Sequence, residues 1–318
     1  MEFDISFGVV ASTITKIFLL AFTGYAMYFF KLVDDNFTDR MSLLLIWIFF
    51  PALIISKTTS HFSFAEYPLW WIFPLVSVVF CFVGMVSGRI TLLFMGKGVP
   101  WREFVCVTGF QNCGYLPITL ITFSFAGMMS EKLLIYTFLF IQGFNLIIWS
   151  VIPVFLSGGN GGKVKIHNIL NPPVMATVLS LIWVAVVGKG AVPDIVADPL
   201  LKLGAASYPV AMLLLGFYLC RYKVFAPKRK RVMLVASLVK LLVVPAVIFP
   251  VLMLVGFPRD MKFFLLLESM MPSAVSLVAI GSFTGADNEF LSGTVFYTHV
   301  LSLVTIPLWV AAFNMFPA

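Results

Sequence analysis

Two long apolar segments of this chain each carry polar side chains a few residues before a proline. In the first, Gln111 and Asn112 precede Pro117, and in the second, Glu268 precedes Pro272. An amide can donate to a carboxylate or accept from a hydroxyl or an indole N–H, whereas a carboxyl group can hold a proton or coordinate a cation. These residue types indicate recognition of an organic anion and of a coupling cation.

The two prolines predict interrupted helices. A proline removes a backbone N–H and frees a carbonyl, which is costly in hydrocarbon unless it lines a cavity or binds something. Each segment is therefore predicted to form two half-helices that meet near the bilayer centre, where their positive N-terminal ends suit a carboxylate. We expect Gln111 and Asn112 to bind the anion at this crossing; the alternative is that the amides only satisfy the unwound backbone.

Glu268 has three interpretations that the sequence leaves open. It binds a coupling proton, binds a sodium ion, or is a structural acid that is paired or neutral in the core. Ser273 and Ser276 follow the second break and can offer hydroxyl groups to the substrate and to the ion, although serines also bond back to their own helix.

Further polar residues lie within apolar segments. Gln142 and Asn145 share a helix face, and they either line the substrate cavity or bond a neighbouring helix. Lys240 lies too deep in its segment to reach the interface comfortably, so it either attracts the anion or pairs with Glu268. His299 is interpreted as a structural histidine rather than a proton relay.

The composition places these residues in a membrane. Of 318 residues, 61% are hydrophobic and 11% charged, whereas soluble globular proteins carry about 25% charged residues. The net charge of +7 comes mainly from short loops between spans, so the positive-inside rule explains it and nucleic acid is not an expected partner. The four cysteines lack metal-ligand spacing, so no cofactor is expected beyond a coupling ion, Na+ or H+.

Hydropathy predicts ten transmembrane helices. Their approximate ranges are 7–30, 41–56, 68–93, 102–128, 133–156, 171–188, 199–220, 232–256, 261–285 and 290–315. The glycine-rich linker 157–170 separates five spans in residues 1–156 from five in residues 171–318. An excess of Lys and Arg in the loops on one side, which rests largely on Arg221–Arg231, predicts a multi-pass protein of the cell (inner) membrane with both termini outside.

The two halves share a sequence pattern. Ser-Phe-Ala-Gly at 124–127 matches Ser-Phe-Thr-Gly at 282–285, and Pro153 matches Pro307. A unit with an odd number of spans inserts its second copy upside down, so the pattern predicts an all-α fold built as a 5+5 inverted repeat. Interrupted helices at matching places in two such halves are typical of secondary transporters.

Motifs along the whole chain resemble those of the auxin efflux carrier family. Gly109–Pro117 is similar to the asparagine-glycine-leucine-proline signature in the fourth span of that family. Four further segments also fit, namely Asn171-Pro172, Tyr208–Gly216, Lys240–Pro245 and Met271–Val275. The short central loop resembles that of the bacterial members rather than that of the plant auxin exporters.

The resemblance implies a ten-span carrier with a scaffold domain and a transport domain, each drawn from both halves. The transport domain would contain the crossed fourth and ninth spans and move against the scaffold like an elevator. Substrates in the family are small carboxylates such as malate, malonate or auxin-like acids. The resemblance also implies that Asn112, Pro117 and Pro272 lie where substrate binds, and that two copies associate through the scaffold as a homodimer.

Two residues depart from the family pattern. Lys16 stands where relatives often have proline, and Glu268 stands where a small or apolar residue is expected. A glutamate before the ninth-span break resembles the bile acid sodium symporters, which share the overall fold. The alternative function is therefore a sodium-coupled symporter of a larger organic anion, with Glu268 in the ion site.

Other classes of protein fit the sequence less well. It shows no metal cluster, no nucleophile with a neighbouring base and no paired acids on one helix face, so an enzyme is not expected. The predicted broken helices favour alternating access over a channel.

Overall fold

The computed structural model describes residues 7–96, 98–158, 171–221 and 229–316. Most of the predicted central linker, residues 159–170, and the middle of the basic loop, residues 222–228, lie outside the described residues. The described helices are α1 (Phe7–Phe29), α2 (Asp35–His61), α3 (Ile72–Leu92), α4 (Trp101–Gly109), α5 (Tyr115–Ser124), α6 (Gly127–Leu156), α7 (Pro172–Val186), α8 (Asp194–Arg221), α9 (Lys230–Leu254), α10 (Arg259–Ser269), α11 (Ser276–Thr284) and α12 (Asn288–Asn314).

The chain is an all-helical, multi-pass membrane protein. Within the described residues, six helices are long and apolar enough to cross a membrane, namely α2, α3, α6, α8, α9 and α12. The outer face of α3 is apolar, as contact with lipid requires. It exposes, at helical spacing, Leu75, Val79, Phe82 and Ile90. Its opposite face is buried against α4 and α6. One stripe therefore faces hydrocarbon while the other forms the interior.

The second helix is longer than the hydropathy ranges predict. The prediction placed it at 41–56, whereas α2 begins at Asp35 and ends at His61. Asp34 caps it, because its carboxylate accepts from the amide of Phe37 at 2.8 Å. The first turn of α2 is polar, so a hydropathy window does not detect it. The cap satisfies a backbone N–H group of that turn, which allows the helix to begin before its apolar part.

Prolines widen two of the long helices. α2 contains a π-helical turn at Leu45–Phe49, just before Pro51, and α9 contains one at Val239–Val243, just before Pro245. The proline ring collides with the carbonyl of the preceding turn, and a wider turn relieves that collision. The turn in α9 contains Lys240 and thereby sets the position of its side chain in the interior.

The helices pack as two groups. The four-helix group consists of α1, α2, α7 and α8: α1 packs along α8, and α2 packs against α7 and α8. Close approach requires glycine here, because a Cβ at Gly24 would overlap the backbone of Leu213 and one at Gly216 would overlap that of Ala21. The crossover group consists of α3–α6 and α9–α12, with α3 packed on α4, α6 and α9.

Candidate functional site

Both predicted breaks are present. The predicted fourth span is divided into α4, which ends at Gly109, and α5, which begins at Tyr115. The predicted ninth span is divided into α10, which ends at Ser269, and α11, which begins at Ser276. Pro117 lies in the first turn of α5, where a missing N–H costs nothing because that position has no intrahelical acceptor. Pro117 is thus accommodated at the start of α5, and Pro272 lies within the second break.

The unwound segments pair with each other. The amide of Asn112 donates to the carbonyl of Pro272 at 2.7 Å, and the amide of Ala274 donates to the carbonyl of Phe110 at 2.9 Å. Gln111 and Ser273 thus face each other in a single antiparallel bridge. These hydrogen bonds pair backbone groups that would find no partner in hydrocarbon. Two interrupted helices can therefore lie within a membrane.

Ser273 fastens this crossing to two neighbouring helices. Its hydroxyl donates to the carbonyl of Val107 in α4 at 2.7 Å, and its amide donates to the hydroxyl of Thr298 in α12 at 3.2 Å. The side chain is completely buried and does not line the cavity described below. Both groups of Ser273 are thus engaged in holding the second break in place.

Asn112 is held through its side chain as well as its backbone. Its Nδ2 lies 3.2 Å from Nε2 of His299 in α12, and Nδ1 of that histidine lies 2.7 Å from the carbonyl oxygen of Val295. All of these groups are buried. Gln111, the neighbour of Asn112, is also buried, and both polar atoms of its amide lack a hydrogen-bond partner among the described residues.

A cavity with about 140 Å³ of internal space opens beside the crossing, between the two groups of helices. The predicted site residues Gln111, Asn112 and Ser276 line it, as does Asn145 on α6. The remaining lining residues are mostly apolar and come from α2, α5, α6, α7 and both breaks, namely Ile46, Phe50, Ile54, Cys113, Gly114, Tyr115, Ile118, Phe138, Ile141, Phe144, Trp149, Asn171, Pro173, Ala274 and Val275.

Two features of this cavity suit a small organic anion: helix N-termini for its charge and apolar walls for its hydrocarbon part. The helix starts of α5 and α11, at Tyr115 and Ser276, both line it, and the first N–H groups of a helix have no intrahelical acceptor. Apolar walls surround these donors and the amides, which is the composition of sites that bind small organic molecules.

Four other predicted site residues lie away from the cavity lining. Gln142 on α6 donates to the carbonyl of Phe138 at 2.8 Å and to the hydroxyl of Thr177 on α7 at 2.9 Å, so it links two helices. Pro117 and Pro272 belong to the crossing but not to the lining. Lys240, predicted to attract the anion or to pair with Glu268, is also absent from the lining.

Lys240 and Glu268 belong to a buried polar cluster beside the crossing. Lys240 on α9 acts electrostatically on Glu268 at the end of α10, and on Cys81 and Cys113. All four side chains are buried, and Glu268 lies outside the cavity lining. Within the part of the chain that the structure describes, Glu268 and Lys240 form no ion pair within 4.0 Å, and neither carboxylate oxygen has a hydrogen-bond partner.

Several residues at the site were not singled out from the sequence as site residues. For Asn145 and Gln142 the sequence leaves open whether they line the cavity or bond a neighbouring helix, and of the two it is Asn145 that lines the cavity. Asn171 is another lining residue; it also caps α7 by accepting from the amide of Val174 at 3.1 Å. The contact of His299 with Asn112 was missed because the sequence gives no signal for a pairing across 187 residues.

The fold and site define a polytopic membrane protein with a cavity between two packed helical groups. The chain belongs to the auxin efflux carrier family, because the family model described as "membrane transport protein" matches residues 9–167 and 160–310. The predicted resemblance is therefore confirmed, and the chain is a membrane transport protein rather than an enzyme.

Relatives from three organisms agree with this assignment. An uncharacterized transporter of Methanocaldococcus jannaschii is 24% identical over 305 residues, which are 92% of this chain and 95% of the relative. One of Methanothermobacter thermautotrophicus is 25% identical over 310 residues, 93% and 96% of the two chains. Protein PIN-LIKES 2 of Arabidopsis thaliana is 30% identical over 165 residues, 48% of this chain and 36% of the plant protein.

Proposed function

We propose that this chain is a secondary carrier of small organic anions, carboxylates such as malate, malonate or auxin-like acids. The observation that carries the proposal is the cavity beside the paired breaks. It combines two helix N-termini with the amides of Gln111 and Asn112, inside apolar walls. Such a site binds a carboxylate without a cationic side chain in contact with it.

The proposed architecture has ten spans in a 5+5 inverted repeat. Its support is the matched placement of irregular features: α4–α5 and α10–α11 are both interrupted, and Pro153 in α6 and Pro307 in α12 both lie inside long helices. In this proposal the crossover group is the transport domain and slides against the four-helix group, with the substrate between them. The protein would lie in the cell (inner) membrane with both termini outside, and would associate as a homodimer through the four-helix group.

A ligand-binding experiment on the purified protein tests the proposal. Malate, malonate and indole-3-acetate are added singly, and the unfolding temperature is measured in sodium and in potassium buffers. A ligand present at about 100 times its Kd stabilises the folded state by about 2.7 kcal/mol. We expect at least one carboxylate to raise the unfolding temperature, and Asn112→Ala to abolish that rise.

A second asparagine provides the matched control. Asn36 lies in the exposed first turn of α2, where it accepts from Arg40 at 2.9 Å, far from the crossing. Asn36→Ala should retain the full carboxylate response. If no carboxylate stabilises the wild-type protein, or if Asn112→Ala responds as strongly as Asn36→Ala, the proposed site is wrong.

The alternative function, a sodium-coupled symporter of a larger anion, has one observation in its favour. Both carboxylate oxygens of Glu268 are buried without a hydrogen-bond partner among the described residues, and a carboxylate within a membrane can coordinate a cation. The nearby ammonium group of Lys240 opposes it, because a fixed positive charge disfavours binding of a second cation. A stabilisation by carboxylate that requires sodium and disappears in Glu268→Gln would favour the alternative.

A further inference from the structure

The histidine beside the candidate site has its hydrogen-bonding pattern fixed by its two partners. A backbone carbonyl only accepts, so Nδ1 of His299, which is 2.7 Å from the carbonyl oxygen of Val295, must carry the hydrogen. In the neutral imidazole the other nitrogen is then an acceptor. Nε2 therefore accepts from Nδ2 of Asn112, at 3.2 Å.

This pattern orients the amide of Asn112. Its nitrogen end is used by His299, so its carbonyl oxygen is the end that has no hydrogen-bond partner among the described residues. Asn112 lines the cavity. A carbonyl oxygen repels a carboxylate, so with neutral His299 the amide is poorly arranged to receive an anion.

Protonation of His299 reverses this arrangement. An imidazolium donates from both nitrogens, so Nε2–H then needs an acceptor, and the carbonyl oxygen of Asn112 can supply it after a half-turn of the amide. The two N–H groups of Asn112 then replace the carbonyl oxygen as the free end. They suit a carboxylate, and the new positive charge lies directly behind them.

We propose that His299 is the proton-binding residue of this carrier, and that it couples proton uptake to anion binding by reversing its hydrogen bond with Asn112. The inference rests on the proposed function, because it concerns the same cavity. The proton comes from water and remains on the imidazole while the anion is bound. Coupling is reciprocal, so proton and anion each strengthen the binding of the other.

No charged neighbour competes for this role. Within the described residues, no charged side chain forms an ion pair with His299, although several lie on helices that contact α12. These are Lys16 on α1; Arg102 and Glu103 on α4; Lys230, Arg231 and Lys240 on α9; and Arg259, Asp260, Lys262 and Glu268 on α10. The polar neighbours on α12 itself are hydroxyls that bond to backbone: Thr298 donates to Val295 at 2.8 Å, and Ser302 donates to His299 at 2.6 Å.

Proton uptake on ligand binding tests the inference directly. Malate, malonate and indole-3-acetate are each added to the purified protein in weakly buffered solution, and a pH-indicator dye reports the protons taken up. We expect roughly one proton per bound anion, and an apparent Kd that rises about tenfold per pH unit once the imidazole is neutral. His299→Gln should bind anion without proton uptake and with a Kd that is independent of pH.

Two further variants serve as controls. His61→Gln makes the same chemical change at the end of α2, near Glu131 and outside the cavity lining, and should retain proton uptake. Glu268→Gln should retain it as well. If Glu268→Gln abolishes proton uptake while His299→Gln keeps it, Glu268 is the proton site and the inference is overturned.

The wild-type protein gives an answer even when a variant does not fold. Anion binding without proton uptake by the wild-type protein overturns the inference and leaves the proposed function intact. Failure of all three carboxylates to bind at any pH overturns the proposed function itself, and the inference with it.

Discussion

Glu268 and Lys240 are an acidic and a basic side chain that are both buried in the interior and do not line the cavity. Burial of either group in its charged form is costly, and each would offset that cost for the other even though they do not form a close ion pair. We therefore interpret the two residues as a pair whose interaction stabilises the interior beside the crossing. Their contribution to transport is then indirect.

A double-mutant cycle tests that balance. Glu268→Gln and Lys240→Met should each lower the free energy of unfolding by roughly 0.5–3 kcal/mol, because each removes the group that offsets the burial of the other. The double variant should be more stable than the sum of the single effects predicts. Unfolding midpoints of the four proteins measure this coupling.

An exposed ion pair is the control for the cycle. Lys189 and Glu66 lie 2.7 Å apart with both side chains partly in solvent, and such pairs contribute about 0–1 kcal/mol. Lys189→Gln should therefore change stability little. Strictly additive effects of the Glu268 and Lys240 substitutions would show that the two buried groups do not interact.

At the scale of the element, helices begin and end according to local chemistry, whereas their contacts do not follow from local chemistry. The carboxylate of Asp34 caps the start of α2, and Pro117 occupies the first turn of α5, and both effects act over a single turn. Packing of α1 on α8 instead depends on two glycines that are distant in sequence, Gly24 and Gly216. Which face of a helix needs a residue without a side chain therefore depends on the helix that packs against it.

A pair of glycine substitutions in α1 distinguishes packing from helix propensity. Gly24→Ala should lower the unfolding temperature, because the new Cβ would overlap the backbone of Leu213 in α8. Gly8→Ala, on the same helix, meets no atom within 4 Å, and alanine favours a helix over glycine by roughly 0.5–1 kcal/mol. It should therefore preserve or raise the unfolding temperature; equal losses in both variants would contradict close packing as the cause.

At the scale of the molecule, the boundary between the two helical groups contains the cavity and also an ion pair. Lys57 on α2 and Glu131 on α6 lie 2.7 Å apart and join the four-helix group to the crossover group. If the crossover group slides during transport, this pair must separate in each cycle. Lys132 and Asp260, also 2.7 Å apart, lie on α6 and α10 within the crossover group and would move together.

Cross-linking tests whether the groups slide. In a protein whose four native cysteines are replaced by alanine, cysteines at 57 and 131 joined by a short bifunctional thiol reagent should stop uptake into proteoliposomes, and reduction should restore it. The same reagent across positions 132 and 260 should leave uptake intact. Full transport by the 57–131 cross-linked protein would exclude sliding at this boundary.

These scales also explain how far the sequence could predict the protein. It predicted both breaks and the burial of Glu268 and Lys240, because proline chemistry and hydropathy are local properties. It did not predict which of Asn145 and Gln142 lines the cavity, because the two share a helix face. Gln142 instead bonds Thr177 on α7, and the position of α7 cannot be read from the sequence. The bond of His299 to Asn112 depends on the packing of α12 against the crossing, which a single sequence does not reveal.

The backbone pairing at the crossing has a consequence for biosynthesis. The segment around Asn112 emerges from the ribosome long before Pro272, whose carbonyl is its partner. In the interval the first break stands in the bilayer with unpaired peptide groups, each costing several kcal/mol. The nascent first half is therefore expected to remain with the insertion machinery, or to keep its interrupted span partly in water, until the second half arrives. Truncated chains that stop before the second break should accordingly be cleared by membrane quality control.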